Sequence, residues 1–174
     1  MICLGIESTA HTFGAAVVTS DKKILSNCKA MFSTESGGMI LGEVAKHHEQ
    51  NADKIISDAL KTANLSWKDI DIISFSRGPG LPPSLKIGKK NAIELAKLYN
   101  KPLIGVNHCV AHLTVGTLTT DAKDPVYLYV SGVNTQIISL ESGLFRIFGE
   151  TVDIGLGNAL DKFGREAGLG FPAG

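Results

Sequence analysis

The spacing of apolar and polar residues predicts two similar runs of secondary structure along the 174-residue chain. Short apolar segments bounded by turn residues indicate strands, and apolar positions three and four residues apart indicate helices. The longest helix is predicted over 42–63, and a loop rich in glycine and proline, 77–83, precedes a helix that Ser84 is expected to cap. The predicted order is βββαβαβα, followed by βββα.

The repeated order predicts an α/β fold with a mixed sheet, one domain over 1–120 and the beginning of a second over 121–174. Each half opens with two strands joined by a short loop of small and hydroxyl residues, 5–11 in the first half and 130–135 in the second. One such loop is compatible with an ordinary hairpin turn. Small residues and hydroxyls in such a loop expose backbone N–H groups that can bind phosphate. A pair of these loops resembles the arrangement in the actin-like ATPases, in which paired hairpins hold a nucleotide between two lobes.

Composition narrows the class of protein. Seventeen Lys and Arg residues balance seventeen Asp and Glu residues, so any RNA contact needs a local basic patch or a partner subunit. Hydrophobic residues make up 44%, yet no apolar run approaches the roughly 20 residues of a membrane span. Glu7 interrupts a possible signal peptide, and three scattered cysteines favour a reduced, cytoplasmic protein. The turn-like stretch 169–174 suggests part of a longer protein.

Histidines provide the clearest candidates for a metal site. His108 and His112 are four residues apart, so on a helix both imidazoles project from one face and can bind one ion. This pattern is weak by itself, because two partly exposed helix histidines have the same spacing, and the HExxH pattern of zinc proteases is absent. His47 and His48 are adjacent and point apart on a helix, so we expect a surface or interface role for them.

Seven segments identify a family when they are read in order: GIESTAHTFG, HHEQ, SRGPGLPPSL, GVNHCVAH, YVSGVNTQ, GETVDIGLGNALDKF and GFPAG. Together they resemble the tRNA threonylcarbamoyladenosine-synthesis family in its archaeal and eukaryotic form, the catalytic subunit of the KEOPS complex. The likeness covers the whole chain, although family members are longer. It implies an actin-like, ribonuclease H-like fold of two lobes, with mixed sheets and flanking helices, of which this chain carries the N-terminal part.

The resemblance implies transfer of a threonylcarbamoyl group from threonylcarbamoyl-adenylate to N6 of adenosine 37 in ANN-decoding tRNAs. It implies that His108, His112 and Tyr129 bind one iron or zinc ion, with a fourth ligand, an aspartate, beyond residue 174. The implied nucleotide site comprises Tyr129, Val130, Ser131, Gly132, Val133, Asp161 and Gly174. The implied partners are tRNA, threonylcarbamoyl-adenylate or ATP, and KEOPS subunits that include a kinase and a small dimerising protein, the latter against the helix of His47.

Several points remain open at the level of sequence. Val133 stands where the family usually has glycine, so its Cβ is expected to weaken phosphate binding or reshape the loop. Glu7 is either an acid or base near the metal or a polar strand end. Lys86, Lys90 and Lys97 share one helix face, which either contacts tRNA phosphates or is simply solvated. The alternative to an enzyme is a non-catalytic nucleotide-binding or scaffold half of such a complex.

Overall fold

The computed structural model describes residues 1–34 and 40–169, and its elements follow the predicted order, βββαβαβα and then βββα. In chain order they are β1 (Ile2–Glu7), β2 (Thr12–Thr19), β3 (Ile24–Met31), α1 (Leu41–Thr62), β4 (Ile72–Gly78), α2 (Pro82–Leu98), β5 (Leu103–Asn107), α3 (His108–Thr119), β6 (Tyr127–Val130), β7 (Thr135–Glu141), β8 (Leu144–Glu150) and α4 (Leu156–Glu166). Within the described part of the chain, they form two compact units, 1–32 with 40–112, and 33–34 with 113–169. The division falls inside α3.

The first unit is a mixed five-stranded sheet in the order β3-β2-β1-β4-β5. Short turns make β1, β2 and β3 antiparallel neighbours, whereas the longer crossovers through α1 and α2 make β1, β4 and β5 parallel. The carboxyl ends of parallel strands meet at one edge of a sheet. This topology therefore brings Glu7, at the end of β1, to the edge where Asn107 ends β5 and α3 begins.

The core of the first unit lies between the sheet and α1 and α2. The strands contribute alternate residues, because successive side chains of a strand point to opposite faces. Trp67 also stacks on Tyr99, with ring centroids 4.2 Å apart. No helix among the described residues is long and apolar enough to cross a membrane. The main buried members of the core are Leu4, Ile6, Phe13, Ala15, Val17, Ala52, Ile55, Ile56, Ala59, Ile70, Ile73, Ala92 and Ala96.

The second unit contains an antiparallel three-stranded sheet, β6-β7-β8, followed by α4. A two-residue turn joins β7 to β8, with Ser142 and Gly143 both at positive φ, which suits the twist of a hairpin. The buried apolar residues of this unit, within the described ranges, are Leu113, Tyr129 and Ile138.

Two local predictions are wrong. Helix α2 begins at Pro82 after Leu81, so Ser84 lies inside the helix, fully buried, and does not cap it; proline is favoured at a first helical position because its φ is already helical. His48 is fully buried and contacts Phe13 edge-on, with ring centroids 5.7 Å apart. Its position, four residues after Val44 and four before Ala52, places it on the apolar face of α1.

Candidate metal centre and phosphate loop

His108 and His112 begin α3, directly after β5. The side chain of Asn107 caps this helix, because its Oδ1 accepts hydrogen bonds from the N–H groups of Cys109 at 2.9 Å and Val110 at 3.2 Å. The two imidazole rings lie nearly perpendicular, with centroids 4.5 Å apart. Their Nε2 atoms approach to 3.2 Å, so the predicted pairing of the two histidines on one helix face is observed.

The separation of the two Nε2 atoms fits a shared metal ion. Two ligand atoms about 2.0–2.1 Å from one ion lie about 3.4 Å apart at a tetrahedral angle, close to the observed 3.2 Å. Imidazole nitrogen is a ligand that both iron and zinc accept. Within residues 1–34 and 40–169, no group of three or more His, Cys, Asp or Glu side chains surrounds one point. Tyr129 belongs to the second unit, and its role as a ligand stays a prediction.

Glu7 is the hydrogen-bond partner of His108. Its Oε2 lies 3.2 Å from Nδ1 of His108, and its Oε1 accepts the N–H of Thr9 at 2.6 Å and the Thr9 hydroxyl. The Thr9 hydroxyl oxygen is also 3.3 Å from the same Nδ1. An ionised carboxylate only accepts hydrogen bonds, so Nδ1 of His108 carries a proton in this contact; in the neutral imidazole, Nε2 is then the nitrogen with the lone pair. Glu7 is therefore more than a polar strand end.

Electrostatics favour an ionised Glu7 and a neutral His112. Burial raises the pKa of Glu7, but the hydrogen bonds from His108 and Thr9 together outweigh burial and hold that pKa below its ordinary value. Burial is the largest cause of the lowered pKa of His112, and the neighbouring His108 lowers it further. A neutral imidazole has a lone pair available for a metal ion.

A cavity of about 380 Å³ opens beside Glu7 and His108 on the face of the first sheet. Small residues of β1 and β2, including Gly5, Gly14 and Ala16, leave this space unfilled. Its wall contains one cation, Lys29. The cavity gives solvent and small molecules access to the Glu7 carboxylate.

The loop between β6 and β7 is the hairpin loop of the second unit that is predicted to bind phosphate. The N–H of Ser131 donates to the carbonyl of Asn134 at 2.8 Å, and the N–H of Asn134 donates to Oγ of Ser131 at 2.9 Å. The N–H groups of Gly132 and Val133, between them, have no partner among the described residues. Two consecutive N–H groups of this kind are suited to an anion.

The beginning of α4 packs directly against this loop. The N–H of Gly157 donates to the carbonyl of Ser131 at 3.0 Å, and that of Asn158 donates to the carbonyl of Gly132 at 3.1 Å. A Cβ on Gly155 would lie 2.5 Å from the Gly132 carbonyl oxygen, so only glycine permits this approach. Sequence reasoning missed this contact, although the Gly-Leu-Gly at the start of a helix was the available signal.

The other residues that were predicted to form the nucleotide site lie in the loop, in β6 and in α4, except for Gly174. Val133 is 75% exposed and is absent from the described residues with positive φ, and the expected effect of its Cβ on the loop stays a prediction. Asp161 lies in α4, half-buried, four residues after Gly157. Tyr129 and Val130 end β6 immediately before the loop. Gly174 lies outside the described residues, and the binding roles of the whole set stay predictions.

Solved structures define the fold class. YeaZ from Pseudomonas aeruginosa matches with a TM-score of 0.59 and 17% identity, over 86% of this chain and 65% of that chain. EutJ from Carboxydothermus hydrogenoformans matches with a TM-score of 0.58 and 12% identity, over 98% of this chain and 58% of that chain. The chain is therefore an α/β protein of the actin-like ATPase fold, as predicted, and it carries a histidine pair at the edge of its first sheet.

Sequence comparison defines the family within this class. The family profile described as tRNA N6-adenosine threonylcarbamoyltransferase matches residues 23–174, and the chain belongs to that family. A protein of that name from Thermococcus gammatolerans is 52% identical over 174 residues, which are 100% of this chain and 53% of that protein. A "probable bifunctional tRNA threonylcarbamoyladenosine biosynthesis protein" from Methanosphaera stadtmanae is 51% identical, over 100% of this chain and 33% of that protein. The chain spans about half the length of relatives such as the Thermococcus protein.

Proposed function

We propose that this chain is part of a tRNA N6-adenosine threonylcarbamoyltransferase that acts in the cytoplasm within a KEOPS-type complex. The enzyme transfers the threonylcarbamoyl group of threonylcarbamoyl-adenylate to N6 of adenosine 37 in ANN-decoding tRNAs. One observation carries the proposal: the Nε2 atoms of His108 and His112 converge to 3.2 Å in a member of this family. The separation is within hydrogen-bond distance and also fits two nitrogens bound to one ion.

The reaction requires little covalent chemistry from the protein. The N6 amine attacks the carbamoyl carbon, an N–C bond forms, the C–O bond to phosphate breaks, and AMP leaves while N6 loses a proton. An iron or zinc ion held by His108 and His112 would supply a Lewis acid for the carbonyl. The N–H groups of Gly132 and Val133 would bind the departing phosphate, and Asp161 would bind the ribose.

The donor is already activated, which accounts for the absence of a Ser-His-Asp or Cys-His arrangement among the described residues. A mixed anhydride reacts with an amine directly, so no Ser-His-Asp or Cys-His pair is required. Cys109 lies next to His108, but its N–H is bound in the Asn107 cap and neighbouring helix residues point in different directions. Glu7 is placed to keep His108 in one tautomer.

The alternative is a non-catalytic nucleotide-binding or scaffold half of the complex, and the observation in its favour is the pair of N–H groups of Gly132 and Val133, which suits an anion without a metal ion. Metal binding distinguishes the proposed enzyme from this non-catalytic alternative. If the protein is the enzyme, Zn²⁺ or Fe²⁺ should bind the chain, and a His108→Ala/His112→Ala double variant should bind the metal ion at least about tenfold more weakly. Equal binding by both proteins would contradict it. Threonine incorporation into an ANN-decoding tRNA, with KEOPS-type subunits added, is then expected for a protein of the relatives' full length that contains this chain and absent for its double variant. The chain alone is expected to be inactive.

We also propose that the lysines of α2 contact tRNA phosphates. Lys86, Lys90 and Lys97 are all exposed on one face of α2, and Arg77 is exposed near the end of β4. Each phosphate contact contributes roughly one unit to the slope of log affinity against log salt.

Charge reversal of Lys86, Lys90 and Lys97 should lower tRNA affinity in the assembled complex and flatten its salt dependence, while nucleotide affinity stays unchanged. The matched control reverses three exposed lysines outside α1 and α2, Lys23, Lys68 and Lys123, which changes the net charge by the same amount. Unchanged affinity and slope in the α2 variant would mean that its lysines are only solvated.

A further inference from the structure

We propose that Glu7 and Thr9 are positioning residues that fix the orientation and tautomer of His108, and that α2 holds them in place. Such an outer layer sets how well a ligating imidazole binds a metal ion. The proposal rests on the proposed function in one respect only, namely that the ligand of His108 is a metal ion.

Two groups converge on Nδ1 of His108 within one small network. The Nδ1–H faces Oε2 of Glu7 at 3.2 Å and the hydroxyl oxygen of Thr9 at 3.3 Å. Thr9 in turn donates both its hydroxyl and its N–H to Oε1 of Glu7. Neither oxygen of the carboxylate is left to rotate freely, and the proton of His108 is directed away from Nε2.

Thr9 is itself held tightly from the side of α2. It is 3% exposed, and its carbonyl oxygen accepts the N–H of Leu81 at 2.7 Å, at the residue that precedes α2. A Cβ on Gly80 would lie 2.5 Å from the same carbonyl oxygen and 2.7 Å from the Thr9 Cβ. Gly80 therefore permits a backbone approach that no other residue permits without a shift.

The neighbouring residue is confined in the same way. The N–H of Ser8 donates to Oγ of Ser76 in β4 at 3.1 Å, and a Cβ on Gly88 would collide with the Ser8 side chain. The backbone of residues 8 and 9 is thus wedged between β4 and α2. A displacement at the beginning of α2 must pass to Thr9 and from there to Glu7 and His108.

The first experiment measures Zn²⁺ affinity of the whole chain by competition with a chromophoric chelator. Thr9→Val removes the hydroxyl at nearly constant size, and Glu7→Ala removes the carboxylate; both should bind Zn²⁺ about 10–100-fold more weakly. Thr9→Ser, which keeps the hydroxyl, and Glu43→Gln, an exposed carboxylate in α1, should stay within about threefold. Affinities of Thr9→Val and Glu7→Ala within that same threefold would overturn the proposal.

The second experiment needs no metal ion. Long-range ¹H–¹⁵N NMR spectra of the metal-free chain distinguish the two neutral tautomers of a histidine. His108 should carry its proton on Nδ1 in the wild-type chain and in Thr9→Ser, and on both nitrogens in exchange in Glu7→Ala. An unchanged tautomer in Glu7→Ala would overturn the proposal. If the wild-type chain binds no Zn²⁺, the metal site fails, while this spectrum still decides the role of Glu7.

A glycine pair tests the contribution of α2. Gly80→Ala should weaken Zn²⁺ binding severalfold although residue 80 touches no proposed ligand, because the new methyl group displaces Thr9. Gly42→Ala, at the beginning of α1, is the control, since a Cβ there meets no atom within 4 Å. Circular dichroism of each variant shows whether it is folded. A folded Gly80→Ala variant with wild-type affinity would refute the link to α2.

Discussion

The two units differ in how much of their apolar surface they bury. In the first unit, α1 and α2 cover one face of the sheet, and residues such as Phe13, Leu4 and Ile73 are fully buried. In the second unit, Leu128 and Ile137 face each other across β6 and β7 yet are 71% and 48% exposed. The difference fits the number of packed layers, because two long helices cover the first sheet, whereas the second unit has a three-stranded sheet, the short helix α4 and the C-terminal part of α3.

Helix α4 of the second unit also leaves apolar residues exposed. Leu156, Leu160 and Phe163 follow a helical spacing of four and three residues, but they are 47%, 47% and 73% exposed. An apolar stripe of this kind normally packs on another element. The first unit is thus stabilised by its own core, whereas the loop between β6 and β7 in the second unit is held by hydrogen bonds and close backbone contacts with the beginning of α4.

The largest expected effect of this contrast is on hydrogen exchange. Amides of β1 and β4 should exchange only through global unfolding, whereas those of β6, β7 and β8 should exchange through local opening, about 100-fold faster or more. Mass spectrometry after deuterium labelling of the intact chain measures both regions in one sample. Equal protection of the two sheets would show that the second unit has a core of its own.

Truncation of matched aromatic residues should show the next largest effect. Phe13→Ala should lower the free energy of unfolding by about 3–5 kcal/mol, because it leaves a cavity in the first core. Phe148→Ala should change it by no more than about 0.5 kcal/mol, since that side chain is 66% exposed. Urea titrations followed by circular dichroism compare the two. Similar losses would remove the distinction between the units.

In the second unit, one substitution at the beginning of α4 and one in the loop between β6 and β7 should have different effects on nucleotide binding. Gly155→Ala places a Cβ against the Gly132 carbonyl, so AMP should bind at least about tenfold more weakly, a loss of about 1.4 kcal/mol. Val133→Gly should change the AMP affinity by less than about threefold, because the Val133 side chain points to solvent. Calorimetry measures both affinities. A larger effect at Val133 than at Gly155 would contradict this account of the loop.

The smallest expected effect is a pH dependence of the free energy of unfolding that arises from His48 in the first unit. Burial, and secondarily the neighbouring His47, lowers the pKa of His48, so folding favours its neutral form. The unfolded chain then binds more protons than the folded chain below the ordinary histidine pKa of about 6.5. Stability should therefore be complete above about pH 6.5 and fall as the pH drops through and below it, by up to about 1.4 kcal/mol per pH unit.

A His48→Leu variant provides the control for this prediction. Leucine fills the buried position with an apolar side chain that cannot bind a proton. Its unfolding free energy, measured by urea titration between pH 5 and 8, should depend less steeply on pH than that of the wild-type chain. The same slope in both proteins would assign the dependence to other histidines.

The sequence by itself determined the features that depend on residues near one another in the chain. The hairpins, the two long helices, the spacing of His108 and His112 and the exposed lysines of α2 all follow from turn residues and from the periods of strands and helices. The resemblance to a family, carried by seven short segments, was confirmed. A local pattern suffices in these cases because each element forms its hydrogen bonds within itself or with its immediate neighbour.

Only the tertiary structure decided which distant residues meet. Glu7 and His108 are 101 residues apart and come together because β1 and β5 run parallel on either side of β4. The burial of His48, the wedge of Thr9 beneath Gly80 and the contact of Gly155 with the phosphate loop depend equally on strand order and helix placement. Periodicity tells which face of an element is apolar, but the partner of that face is set by packing the whole sheet and its helices together.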